Sequence, residues 1–136
     1  MIRLVKNAFL SLIIAASLSM NYWVIDNHVQ IVHIISDSMA PSIKRGDMLL
    51  VKSKPTAELN VGDIAILPSL KDKGVYYSHR IIQIYNDAKG DLVVKTKGDA
   101  NPIADETVVS ITSSTIPVSL LTIPTSNFLS LVQLRN

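Results

Sequence analysis

The chain begins with a long uniformly apolar stretch and then changes to short alternating runs. Asn7 to Ile25 carries no charge. A helix of that length, at about 1.5 Å per residue, spans about 28 Å, close to the ~30 Å hydrocarbon core of a bilayer. Tyr22 and Trp23 stand at its far end, where amphipathic rings favour the membrane interface, and Arg3 and Lys6 flank its near end. The pattern predicts one transmembrane helix with a cytoplasmic N-terminus. A signal peptide shares the basic start and the small residues Ala15 and Ser17. The apolar run continues past Ser17 to the aromatic pair, which favours an anchor that is not cleaved. Both readings place residues 26–136 outside the cytoplasm.

Beyond Asp26 the period changes to that of strands. Val29–Ile35 reads as a strand, and Asp47–Lys52 follows a turn at Gly46. Ser53–Val61 is a polar connector with Pro55 and Asn60, and Gly62-Asp63 opens a short run, Ile64–Leu67, that Pro68 stops. Leu70–Gly74 is a charged loop. Val75–Tyr85 is a long strand, joined by a hairpin over Asn86–Asp91 to Leu92–Lys97. Lys97–Glu106 is rich in Gly, Asp, Asn and Pro, hence a loop. Thr107–Ile116 is β-like again. Strands with turn signals about every 8–12 residues predict a mainly β, small antiparallel domain. Thr107 to Leu134 is uncharged but rich in Ser and Thr, and Pro117 and Pro124 interrupt any helix. The expected organisation is a tail and anchor over 1–25, a β catalytic domain over 26–116, and an apolar tail over 117–136. That tail packs on the domain or lies at the membrane surface.

Composition narrows the function. The sequence is 48% hydrophobic and has no cysteine. That excludes disulfides, thiolate zinc sites and a cysteine nucleophile. Lys and Arg number 13 against 11 Asp and Glu, and the excess lies at Arg3 and Lys6. No basic face with interleaved aromatics is left to bind nucleic acid. His28 and His33 lack companion ligands, so no metal is expected, and nothing calls for a cofactor.

Three polar groups stand in loops or at strand ends: Ser38, Ser78-His79-Arg80, and Asp99 with Asp105. A serine hydroxyl is hardly ionised at neutral pH and needs a base to act as a nucleophile. The base needs a partner that fixes its tautomer and steadies its charge. Ser38 lies in Ser36-Asp37-Ser38-Met39-Ala40-Pro41, between two apolar runs. Pro41 stiffens that connection, and the alternative is an ordinary turn.

The ordered boxes carry a resemblance. Ser36–Pro41, Lys44-Arg45-Gly46-Asp47, Val61-Gly62-Asp63-Ile64, Ser78-His79-Arg80, and Lys97-Gly98-Asp99-Ala100-Asn101 with Asp105 resemble those of the type I signal peptidases. The branch is that of archaea, the endoplasmic reticulum and some Gram-positive bacteria. It places a histidine before the arginine where most bacterial members place a lysine. The resemblance runs from the anchor to about Ile116. It implies a membrane-anchored serine endopeptidase of mostly antiparallel β fold that removes signal peptides from exported preproteins after small residues. It implies Ser38 as nucleophile, His79 as base and Asp105 as the partner of His79. Asp99 would brace Arg80. Ser36 and the backbone N–H of Ser38 would form the oxyanion hole. Met39 and Pro41 would contribute to substrate binding, with the substrate extended along a strand. Implied partners are signal peptides, membrane lipid and the protein-export machinery. The implied location is the cell membrane, single-pass, with the catalytic domain on the outer or lumenal side. The sequence departs from the family at Asp37, where glycine is usual, and at Ala100, where asparagine is frequent. Asp37 puts a charge beside the nucleophile.

Two other functions are consistent with parts of the pattern. Self-cleaving repressor-like serine proteases share a related fold, but they need a lysine where His79 stands and have no anchor. A non-catalytic membrane-anchored β-domain would hold its serine, histidine and aspartate by accident. The reach from the His79 ring to Ser38 separates the readings.

Overall fold

A computed structural model describes residues 2–26, 28–69, 72–106 and 109–125. Helix α1 spans Ile2–Asp26. It contains neither Gly nor Pro, and its polar side chains return to their own backbone. Ser11 Oγ donates to Asn7 O (2.8 Å), Ser19 Oγ to Ala15 O (2.9 Å) and Asn21 Nδ2 to Ser17 O (2.8 Å). Such bonds hide hydroxyl and amide groups that a lipid environment could not satisfy. Phe9, Leu12 and Leu18 are exposed on this helix. Arg3–Val24 is long and apolar enough to cross a membrane by length and composition, with mean hydropathy 1.4.

The strands are β1 (Gln30–His33), β2 (Met48–Pro55), β3 (Ile64–Pro68), β4 (Tyr76–Asn86), β5 (Leu92–Lys97), β6 (Val109–Ile111) and β7 (Thr115–Ile123). They form one sheet in the order β1-β2-β7-β3-β4-β5-β6, and every neighbouring pair is antiparallel. The chain is mainly antiparallel β behind one apolar N-terminal helix, as its periodicity predicts.

The expected boundary at 116 falls inside a strand. β7 runs on to Ile123 and lies in the middle of the sheet, paired with β2 from Met48↔Ile123 to Pro55↔Thr115. Pro117 obscures this in the sequence, because proline is uncommon inside sheets. Here it lies opposite Ser53 of β2, and β3 meets β7 in register at Ala65↔Val118. Ile116 and Val118 are buried while Pro117 is exposed, the period of two expected of a strand. The β-like run expected over Thr107–Ile116 is divided between β6 and β7 by a turn at 112–114. Of that run, residues 107–108 lie outside the described residues, as do 126–136 of the expected tail and 70–71 of the charged loop.

Two apolar clusters fill the domain. One gathers Leu59, Ala65, Leu67, Ile81, Val94, Val109, Ile116 and Val118. The other gathers Ile34, Met39, Ile43, Leu49, Val51 and Ile66. The second cluster lies under the connection from β1 to β2, which carries Ser38.

Candidate active site

The β1–β2 connection is closed at its neck by Ile34 and residues 46–47. Ile34 N donates to Asp47 O (2.9 Å), and Gly46 N donates to Ile34 O (2.8 Å). Within the loop Ala40 N donates to Asp37 O (3.0 Å) and Ile43 N to Met39 O (3.0 Å). Met39 is 1% exposed and belongs to the core cluster. Met39, expected to contribute to substrate binding, has its side chain packed into the core, where it anchors the loop from below. Pro41, two residues on, is exposed. Truncation of a fully buried methionine costs about 2–5 kcal/mol. Met39→Ala is therefore expected to lower unfolding stability by that amount, checked by denaturant titration; a loss under about 1 kcal/mol contradicts the anchoring role.

Asp37, the unusual residue beside Ser38, is turned to the far side of its own loop. Its Oδ1 accepts from Arg45 N (2.9 Å), and Arg45 Nε lies 3.5 Å from its Oδ2. Both side chains are exposed. The charge that the sequence places beside the nucleophile thus has a partner across the loop.

His79 stands on β4 opposite Ala65 of β3. Alternation on the strand puts Tyr77, His79 and Ile81 on one face, toward the larger core cluster. His79 is 8% exposed. Its Nδ1 lies 2.7 Å from Asp105 Oδ2, and its Nε2 lies 3.2 Å from Ser38 Oγ. A carboxylate only accepts, so Nδ1 carries the proton and Nε2 offers a lone pair to the Ser38 hydroxyl. Ser36 Oγ is 3.3 Å from Ser38 Oγ. The structure thus gathers Ser36, Ser38, His79 and Asp105 from the β1–β2 loop, β4 and the β5–β6 loop.

Asp99 goes elsewhere. Arg80 points to the opposite face of β4, where its Nε and Nη2 donate to Asp99 Oδ1 (2.9 Å) and Oδ2 (2.6 Å). Its Nη1 donates to Gly62 O (2.9 Å). The Arg80 guanidinium, with help from Ser42, holds the Asp99 carboxyl below the usual carboxylate range against the opposing effect of burial. Asp99 therefore ties β4 to the turn that follows β5. The folded-state value lies below the unfolded one, so this stabilisation is complete above about pH 4 and is lost as pH falls through the depressed value. The melting temperature of the parent should accordingly fall more steeply than that of Asp99→Asn on acidification from about pH 5 to 3. Parallel curves over that range would remove Asp99 from the acid response.

The turn that carries Asp99 also touches the nucleophile. Ala100 N donates to Ser38 O (2.9 Å), and Asn101 N closes the turn on Gly98 O (3.0 Å). A Cβ on Gly98 would lie 2.6 Å from Ser38 O. No side chain fits at 98 while the turn rests on the Ser38 carbonyl.

Two neighbours of the site went unnoticed in the sequence. Thr96 is 0% exposed and donates from Oγ1 to Asp105 Oδ2 (2.6 Å). The Tyr77 ring meets that of His79 edge to face, with centroids 5.0 Å apart. The one signal for Thr96 is a hydroxyl at an inward position of Leu92–Lys97. His28 and His33 are exposed, and among the described residues no three His, Asp or Glu side chains converge as metal ligands would.

The family profile described as Peptidase S24-like matches residues 13–88. The signal peptidase complex catalytic subunit SEC11 of Debaryomyces hansenii is 29% identical over 102 residues, 71% of this chain and 60% of that protein. SEC11 of Leptosphaeria maculans is 36% identical over 88 residues, 65% of this chain and 49% of its own length. SEC11C of Canis lupus familiaris is 31% identical over 75 residues, 55% of this chain and 38% of its own. The chain belongs to the Peptidase S24-like family, and these relatives are catalytic subunits of signal peptidase complexes. It matches about half of the length of these relatives.

Proposed function

We propose that this chain is a membrane-anchored serine endopeptidase that removes signal peptides from exported preproteins, with Ser38, His79 and Asp105 as its catalytic residues. The observation that carries the reading is the unbroken line from Ser38 Oγ through both nitrogens of His79 to Asp105. Ser38 Oγ attacks the scissile carbonyl carbon while its proton passes to His79 Nε2. Asp105 holds Nδ1–H and balances the imidazolium. The carbonyl oxygen becomes an oxyanion, stabilised by the Ser36 hydroxyl and the Ser38 N–H. Collapse breaks the C–N bond, and Nε2 returns the proton to the leaving amine. Water then attacks the acyl ester, gives its proton to Nε2, and Ser38 regains it on release of the signal peptide.

β1 is an edge of the sheet and runs directly toward the Ser38 loop. An extended peptide added along that edge brings its scissile bond toward Ser38. The apolar span Arg3–Val24 holds the domain at the membrane surface, where signal peptides emerge. Arg3 and Lys6 support a single-pass orientation in the cell membrane with a cytoplasmic N-terminus and the β-domain on the outer or lumenal side. Membrane lipid and the protein-export machinery are the accompanying partners.

The test is to incubate the full chain, purified in detergent, with a precursor carrying a signal peptide and to sequence the product's N-terminus. One cut, after a small residue at the end of the signal peptide, is expected. An uncut precursor, or cuts scattered through its mature part, would contradict the proposal.

A further inference from the structure

We infer that Thr96 is a positioning residue: its hydroxyl and carbonyl together fix Asp105 against His79, and Tyr77 steadies the hydroxyl. The inference rests on the reading of Ser38, His79 and Asp105 as the catalytic line. Asp105 sits in a loop, and a loop-borne carboxylate has backbone and rotamer freedom that a strand residue lacks. Thr96 removes it at two points. Asp105 N donates to Thr96 O (2.9 Å), which pins the backbone, and Thr96 Oγ1 donates to Asp105 Oδ2 (2.6 Å), which pins the side chain. The oxygen so held is the one that faces His79 Nδ1.

Thr96 itself is rigid. It lies on β5 opposite Ile81 of β4, fully buried. Its single proton is committed to Asp105, so its oxygen accepts. The Tyr77 hydroxyl lies beside it and interacts with the Thr96 side chain. Burial pushes the Tyr77 phenol above its ordinary range, against the lowering effect of Thr96 and with the Asp105 charge, so the phenol is neutral at working pH. The Tyr77 ring packs on His79 at the same time. Tyr77 therefore touches both the base and the residue that holds the base's partner. A carboxylate with one oxygen shared by two donors has one orientation. Loss of the threonine donor frees it to rotate away from Nδ1.

The test compares Thr96→Val, Thr96→Ser, Tyr77→Phe and Asp105→Asn in the full chain in detergent, on one precursor. Valine keeps the shape and loses the hydroxyl; serine restores it. Thr96→Val should lower kcat about 10- to 100-fold, the range of a hydrogen bond to a charged group, with KM unchanged. Thr96→Ser should recover most of that loss, and Tyr77→Phe should cost about two- to tenfold. In proton NMR the Nδ1–H of His79, far downfield in the parent, should move upfield and exchange faster in Thr96→Val. A Thr96→Val protein with parental kcat and an unmoved Nδ1–H signal overturns the inference, as does a folded Thr96→Ser no better than Thr96→Val. Should Thr96→Val fail to fold, Tyr77→Phe is read by the same two measurements. Full activity in Asp105→Asn would sink the catalytic reading instead, and the Nδ1–H signal would still report whether Thr96 holds the carboxylate.

Discussion

Ser38→Ala is expected to abolish precursor cleavage while leaving the fold and melting temperature close to those of the parent. Ser38 is half-buried and its hydroxyl serves no other structural group, since its described partners are His79 and Ser36. Its backbone carbonyl, which holds the 98–101 turn through Ala100, is unaffected by the substitution. What remains is binding and the oxyanion hole. Loss of the nucleophile in a triad protease is on the order of a million-fold in kcat. The check is a cleavage time course at matched enzyme concentration, with circular dichroism to establish folding. Residual cleavage within about a hundredfold of the parent would place the nucleophile elsewhere.

The second large effect separates the two aspartates. Asp105→Asn is nearly isosteric and should keep the fold, yet it should cost about ten-thousand-fold, because an amide favours the wrong imidazole tautomer and cannot balance the imidazolium. Asp99→Asn should retain part of the activity. Its carboxylate faces Arg80, not His79, and the substitution weakens a brace between β4 and the 98–101 turn that rests on Ser38 O. That protein should melt at lower temperature than the parent near neutral pH. Both variants are assayed on one precursor after folding is established. An inactive Asp99→Asn beside a near-fully active Asp105→Asn would reverse the assignment. Full activity in both would leave a Ser-His dyad.

The boxes around Ser38, His79 and Asp99 were legible because each couples a reactive side chain to a backbone demand. Gly98 must lie against the Ser38 carbonyl, and Gly62 turns the chain with φ 102° while its carbonyl accepts from Arg80. Such positions leave a local mark in a sequence. The strands were legible as short apolar runs bounded by turn residues, as in Ile64–Pro68, where Ala65, Ile66 and Leu67 are all buried. β7 was not, because Pro117 breaks the expected composition of a central strand, and its partner β2 lies far back along the chain. The role of Met39 was hidden for a different reason. A residue adjacent to a nucleophile reads as a pocket wall, and only packing shows that its side chain turns inward to Ile34, Ile43 and Leu49. Thr96 was invisible because a single threonine in a strand is ordinary; its meaning arises when the loop after β5 folds Asp105 back onto it. The choice between Asp99 and Asp105 as neighbour of His79 likewise depends on which face of β4 each loop residue meets, a tertiary fact.

The central claim is that His79 activates Ser38, and it is tested most directly by labelling. A short peptidyl phosphonate ending in alanine phosphonylates only an activated serine hydroxyl. The full chain in detergent is treated with it, digested, and mapped by mass spectrometry, beside His79→Ala. One adduct is expected, on Ser38, and it should be absent from His79→Ala over the same interval. An adduct on Ser36 or another serine, or equal labelling of Ser38 without His79, would contradict it.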